Sequence, residues 1–143
     1  MILADASAIF ALLDRADERH EITRAWFART RPALVTVPLV LAEVDFLAGS
    51  RGGQGMRTAF RRDVIAGAYR VNWWNDAAVQ AAEIAQQYAD LGVSLADTSL
   101  VALAARMQTT EIATFDERHF RAMRPLWGGD AFRLLPLEET IRR

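Results

Sequence analysis

Cysteine and lysine are both absent from the 143 residues, and histidine occurs only twice, at His20 and His119. Without cysteine there is no disulfide, no thiolate zinc site and no thiol nucleophile, and the composition suits a reducing compartment, here the cytoplasm. Without lysine, P-loop and Schiff-base chemistry are excluded, and all 17 basic residues are arginines. Two histidines do not build a three-histidine zinc site from one chain. No apolar run reaches the 18 residues of a membrane span, so no membrane partner is expected. The N-terminus has no basic leader region, and its apolar opening is broken at Asp5. The net charge of -1 means that any nucleic-acid affinity must come from a local arginine patch rather than from the whole-molecule field.

No internal repeat, low-complexity tract or long linker interrupts the chain, and a single domain over 1–143 is expected. "MILA" (1–4) is a short buried strand, followed by helices over Ala6–Leu13 and Glu18–Arg29. "ALVTV" (33–37) is β-branched and short, hence a strand. Pro38 suits the first turn of a helix running to about Ala48. "GSRGGQG" (49–55) reads as a turn before a helix over Gln54–Ala66. "YRVNW" is a strand, and Asn75 caps a long helix, Asp76–Leu91, ended by Gly92. A helix over Ala96–Met107, a strand at "EIAT" (111–114) and a last strand in "FRLLPL" complete the order. Strands alternating with helices over short connections imply a parallel sheet covered on both faces. Ligands of such sheets sit beyond the carboxyl ends of the strands.

Four carboxylates stand in awkward places. Asp5 follows the first strand and Asp116 follows "EIAT"; Asp97 opens an apolar helix in "SLADTSLVALA". Glu43 falls on the stripe Leu39, Ala42, Phe46 and Leu47, so it is expected to face the core, whereas Asp45 points elsewhere as a surface acid. Singly, the three aspartates are ordinary caps or turn residues, and Glu43 fits a buried ion pair. In one parallel sheet these places can converge on one pocket, where each bare pair at about 5 Å would cost about 3 kcal/mol at an effective dielectric of about 20. Protonation or a bound cation must relieve that repulsion, and ligands that are all oxygen select Mg²⁺ or Mn²⁺. Such an ion suits phosphodiester hydrolysis, with Asp5, Glu43, Asp97 and Asp116 as metal-binding and catalytic residues. Ser7 and Thr114 lie beside Asp5 and Asp116, where their hydroxyls hold a water, a carboxylate or merely backbone. A phosphatase of the haloacid-dehalogenase type would want a second aspartate two residues after the first, and position 7 is serine.

"ADASAIFALL", "LVLAEVDFL", "SLADTSLVALA" and "TFDERHF" carry these four acids in order. In that pattern the chain resembles the PIN-domain ribonucleases, and in size and spacing the VapC toxins of toxin–antitoxin pairs. The resemblance implies a PIN-like three-layer α/β/α sandwich with a central, mainly parallel sheet of four or five short strands. It further implies a Mg²⁺- or Mn²⁺-dependent endoribonuclease acting on RNA, a VapB-like antitoxin that blocks the site, and a homodimer. A PIN nuclease of RNA processing without toxicity and a non-catalytic binding module are the alternatives. Arg118, Arg121 and Arg124 recur every third residue after Asp116, placed to flank the site and grip phosphates or simply to form a solvated face. Arg57, Arg61 and Arg62 read as surface charge. Trp26, Phe27, Trp73, Trp74 and Trp127 are expected mostly in the core, any exposed ones offering a groove to an antitoxin helix.

Overall fold

A computed structural model describes residues 1–141 of the chain; the expected domain 1–143 runs two residues beyond them. Five strands form one sheet in the order β3-β2-β1-β4-β5, and every neighbouring pair is parallel. The strands are β1 (Ile2–Ala4), β2 (Leu34–Thr36), β3 (Tyr69–Val71), β4 (Glu111–Ala113) and β5 (Arg133–Leu135). Each is shorter than the segment expected: Asn72 and Trp73 fall outside β3, although the Asn72 N–H still donates to the Thr36 carbonyl, and Pro136 leaves β5 for a turn.

Helices α1 (Ala6–Leu13) and α2 (His20–Thr30) carry the chain from β1 to β2, and α3 (Pro38–Leu47) and α4 (Gly53–Ile65) carry it to β3. It then returns across the sheet through α5 (Ala77–Gln87) and α6 (Leu95–Met107) to β4, on the far side of β1. The short α7 (Glu117–Ala122) leads towards β5, and α8 (Leu137–Ile141) follows it. Right-handed crossovers running in two directions place helices on both faces of the sheet. The order reverses at β1, so the carboxyl ends of β1 and β4 form the topological switch point, the place where open parallel sheets bind ligands.

Three expectations change. The segment 49–55 is not a turn: a π-helical turn over Ala48–Gly52 joins α3 to α4 almost without a break. Gly53, at φ 79°, takes the left-handed backbone that lets α4 start there. The long helix expected over 76–91 is α5 plus a separate 3₁₀ turn, Ala89–Leu91, and Gly92 ends that turn in the left-handed region. Asp76 rather than Asn75 occupies the N-cap of α5, and its side chain makes no capping bond.

The core reflects the sheet. Leu3, Val35, Ile112 and Leu134 are fully buried, as strands covered on both faces require. Helix α6 is buried without interruption from Ala96 to Ala104, because small residues (Ala96, Ala102, Ala104) let α5 and the sheet approach closely. Leu100 sits one turn below Asp97 on this helix and is fully buried. Leu100→Ala is expected to cost about 3 kcal/mol of stability, read as a lower urea midpoint at unchanged m-value.

Candidate active site

Strand β1 delivers Asp5 to the N-cap position of α1, yet Asp5 makes no capping bond. Its carboxylate is 4% exposed. Oδ2 accepts hydrogen bonds from Thr114 Oγ1 at 2.8 Å and Ser7 Oγ at 3.1 Å. Those hydroxyls in turn accept backbone N–H groups, of Asp116 on Thr114 at 3.0 Å and of Phe115 on Ser7 at 2.9 Å. Each hydroxyl has one proton and gives it to Asp5, so the 3.3 Å approach of Ser7 to Thr114 is a contact between acceptors. The two hydroxyls therefore hold a carboxylate, and they lace the ends of β1 and β4 together around it. Burial pushes the Asp5 carboxyl up to about 6; the charge of Asp97 adds to this, and the bonds from Thr114, Ala6 and Ser7 oppose it.

Asp97 is not the cap of α6. Ser94 is, and Asp97 lies three residues on in a reciprocal capping box. The Asp97 N–H donates to Ser94 Oγ at 3.1 Å, and the Ser94 N–H donates to Asp97 Oδ2 at 3.2 Å. Burial raises the Asp97 carboxyl, opposed by the Ser94 N–H. Asp116 does cap its helix, accepting the His119 N–H at 3.2 Å.

His119, which the sequence reading passed over, completes the cluster. Its Nδ1 lies 2.9 Å from Asp116 Oδ2 and 3.5 Å from Asp97 Oδ2. Its Nε2 lies 3.2 Å from the carbonyl of Leu91, which can only accept, so Nε2 carries a proton. The spacing Asp116, His119 was the available signal, since residues three apart share a helix face.

Glu43 corrects an expectation. Helix α3 buries Val40 and Val44, whereas Leu39 is 37% and Phe46 67% exposed, and Glu43 itself is exposed. The helix is apolar on more than one face, and periodicity does not say which face meets the sheet. Glu43 thus stands at the mouth of the cavity rather than in the core. Burial, then the charges of Asp5, Asp97 and Asp116, raise its carboxyl. Asp45 accepts two bonds from Arg61, at 2.7 and 3.0 Å, and lies 3.8 Å from Arg57 Nε, which holds its carboxyl below the usual range.

One cavity of about 350 Å³ takes in Asp5, Glu43, Asp97 and Asp116 together, with Ser7 and His119 in its wall. The arginines in that wall are Arg19 and Arg51, not Arg118, Arg121 or Arg124. On α7 the face that carries His119 turns Arg118 about 100° and Arg121 about 200° away. Arg121 pairs instead with Glu117 at 3.3 Å and Glu138 at 3.6 Å. Of the aromatic residues expected in the core, Trp26 is buried and Trp74 half-buried, but Phe27, Trp73 and Trp127 are exposed.

Asp97, Asp116 and His119 each offer one ligand atom, and these atoms lie within 4.8 Å of one another. That is close to the span of one ion's coordination sphere. Asp5 and Glu43 face the same cavity outside this trio, and the nitrogen of His119 departs from the expected set of oxygens alone. The donors therefore fit a divalent cation, with hard oxygen ligands in the majority.

The profile of the PIN domain family matches residues 2–124. The chain is 36% identical over 136 residues to the ribonuclease VapC26 of Mycobacterium tuberculosis (strain ATCC 25618 / H37Rv), covering 94% of this chain and 100% of that protein. Its fold is similar to the crystal structure of Mycobacterium tuberculosis VapC20, a toxin that cleaves the sarcin–ricin loop, with a TM-score of 0.76 at 24% identity over 82% of this chain and 91% of that one. With the four acids gathered at the switch point of a five-stranded parallel sheet, these matches place the chain in the PIN-domain family, among the VapC ribonucleases.

Proposed function

We propose that the chain is the toxin of a VapBC-type pair, an endoribonuclease that hydrolyses RNA phosphodiester bonds with Mg²⁺ or Mn²⁺ held by Asp5, Glu43, Asp97 and Asp116. The observation that carries this reading is the convergence of those four carboxylates on one cavity of a VapC-type chain. When bound, the ion neutralises phosphoryl oxygen charge and makes water a better nucleophile. The chain's own groups do the rest. Ser7 and Thr114 fix the direction of Asp5 through their two hydrogen bonds. His119 steadies Asp116 against the loop at Leu91. Glu43 is the one acid of the four that makes no side-chain hydrogen bond among the described residues, so its oxygens are open to the ion or to a water bound to it at the mouth of the cavity. A VapB-like antitoxin is the expected partner, and exposed apolar side chains such as Phe46 and Ile65 offer it, or a second copy of the chain, a surface to bury.

The test is to sequence RNA 5′ ends after expressing the chain with and without its antitoxin, and after incubating the purified protein with total RNA in Mg²⁺, Mn²⁺ or EDTA. Reproducible cuts at one sequence motif, lost with EDTA and suppressed by the antitoxin, are the expected result. Intact RNA in both metals would overturn the nuclease reading.

A further inference from the structure

The cavity presents a problem of charge. Asp5, Asp17, Glu43, Asp97 and Asp116 all line it, and an RNA phosphate entering it meets carboxylates. Two guanidinium groups share the wall, those of Arg19 and Arg51, and between them they make one ion pair, that of Arg19 with Asp17. Arg57 and Arg61 sit on Asp45, and Arg121 on Glu117 and Glu138. Arg51 makes no hydrogen bond or ion pair among the described residues; its guanidinium carbon lies 5.5 Å from the centre of the Phe10 ring. The Arg19 guanidinium carbon lies 4.6 Å from the centre of the Phe115 ring; its Nε approaches Asp17 Oδ1 at 3.4 Å, and the Arg19 backbone N–H donates to the same oxygen at 2.8 Å.

The backbone is built to bring Arg51 there. Glu43, Leu47 and Arg51 all face the cavity. Eight residues of plain α-helix would rotate Arg51 about 80° away from Glu43. The π-helical turn over Ala48–Gly52 advances less per residue and returns Arg51 to that line. Phe10, buried in α1, then lies under the guanidinium on one side. Phe115, the neighbour of Asp116, lies under Arg19 in the same way. The two arginines thus reach the cavity from different elements, the start of α2 and the π turn, each guanidinium set against a ring.

We propose that Arg19 and Arg51 form a two-point phosphate clamp that holds separate backbone phosphates of one RNA strand across the acidic centre. The proposal rests on the ribonuclease reading above and adds the groups that let a polyanion enter a cavity lined with carboxylates. A guanidinium offers a planar fork of donors that matches phosphate oxygens, and its charge offsets the acids without displacing them. The contacts carry no sequence information, so they position RNA of any sequence while other surfaces choose it.

The experiment measures binding of a fluorescein-labelled, mixed-sequence single-stranded RNA to the full chain in EDTA, by anisotropy, across a range of salt concentrations. Arg19→Ala and Arg51→Ala are each expected to weaken binding about 3- to 10-fold and to lower the slope of log K against log salt by about 0.7, the loss of one phosphate contact on a single strand. The double variant is expected to lower the slope by about 1.4. A variant carrying Arg118→Ala, Arg121→Ala and Arg124→Ala keeps a slope closer to wild type than the double variant does. If an alanine variant melts early, Arg51→Gln and Arg19→Gln keep a longer polar side chain in its place and remove the charge. Slopes equal to wild type in folded Arg19 and Arg51 variants would overturn the clamp. Wild-type protein that binds RNA with the expected slopes but cuts none would leave the clamp standing and sink the ribonuclease reading. Protein that cuts RNA while these variants keep its slope would do the reverse.

Discussion

Asp5→Asn is expected to lower RNA cleavage by about 10³-fold or more, while leaving the metal-free chain at pH 7.5 at least as stable as wild type. The two effects point in opposite directions for one physical reason. Asp5 is buried beside Asp97, and its carboxyl is pushed up from 3.8 to about 6. A shift of about 2 units corresponds to about 3 kcal/mol of strain against the charged form. Asparagine has the same shape, and its amide oxygen still accepts the protons of Ser7 and Thr114, but it carries no charge to desolvate or repel. It also offers a divalent cation much less. An aspartate serving only as a helix cap would show the reverse: lost stability and retained activity. Melting temperature in EDTA and cleavage in Mg²⁺, measured on one preparation, separate the two. A variant that cuts RNA at the wild-type rate would remove Asp5 from the site.

Metal-free protein is expected to lose stability as pH rises from about 4 to above 6, and a divalent cation is expected to restore it. Below 3.8 the Asp5 carboxyl is protonated in both folded and unfolded chains, and it imposes no cost. Between 3.8 and about 6 the folded chain keeps a proton that the unfolded chain has released, so stability falls with rising pH. Above about 6 the full cost of about 3 kcal/mol is present. Asp97 and Glu43 are raised as well and act with the same sign. Asp45 is lowered by Arg61 and acts with the opposite sign, on the open surface where solvent weakens it. The difference in melting temperature between wild type and Asp5→Asn isolates the site from such background. In EDTA that difference should widen by several degrees from pH 4.5 to pH 7.5. Saturating Mg²⁺ or Mn²⁺ should raise the wild-type melting temperature more at pH 7.5 than at pH 5, since ligands must be deprotonated to bind. Parallel pH profiles for the two proteins would show that Asp5 is not under this strain.

The strands, their parallel pairing and the positions of Asp5 and Asp116 after β1 and β4 were legible because short β-branched or apolar runs alternate with helical patterns. The π turn was not legible. "GSRGGQG" has the glycines of a loop, and nothing local to it signals a π-helical turn that runs up to Gly53, where α4 begins. His119 was hidden for a related reason. A single histidine after an aspartate has many uses, and its role depends on the carbonyl of Leu91, 28 residues earlier.

By itself, then, the sequence determined the composition of the site: acids and hydroxyls without cysteine or lysine, set at strand ends, in a pattern shared with the PIN-domain family. Local rules suffice for that, because strand ends and helix starts follow from neighbours a few residues away. Only the tertiary structure decided which faces meet. It turned Val40 and Val44 inward and left Glu43 at the mouth, gave Ser7 and Thr114 to Asp5, and put Arg19 and Arg51 in the cavity in place of Arg118, Arg121 and Arg124. Those choices depend on the rotation of each helix about its axis and on contacts more than 100 residues apart in the chain, such as Ser7 with Phe115. A helix apolar on several sides does not encode that rotation; packing against the sheet does.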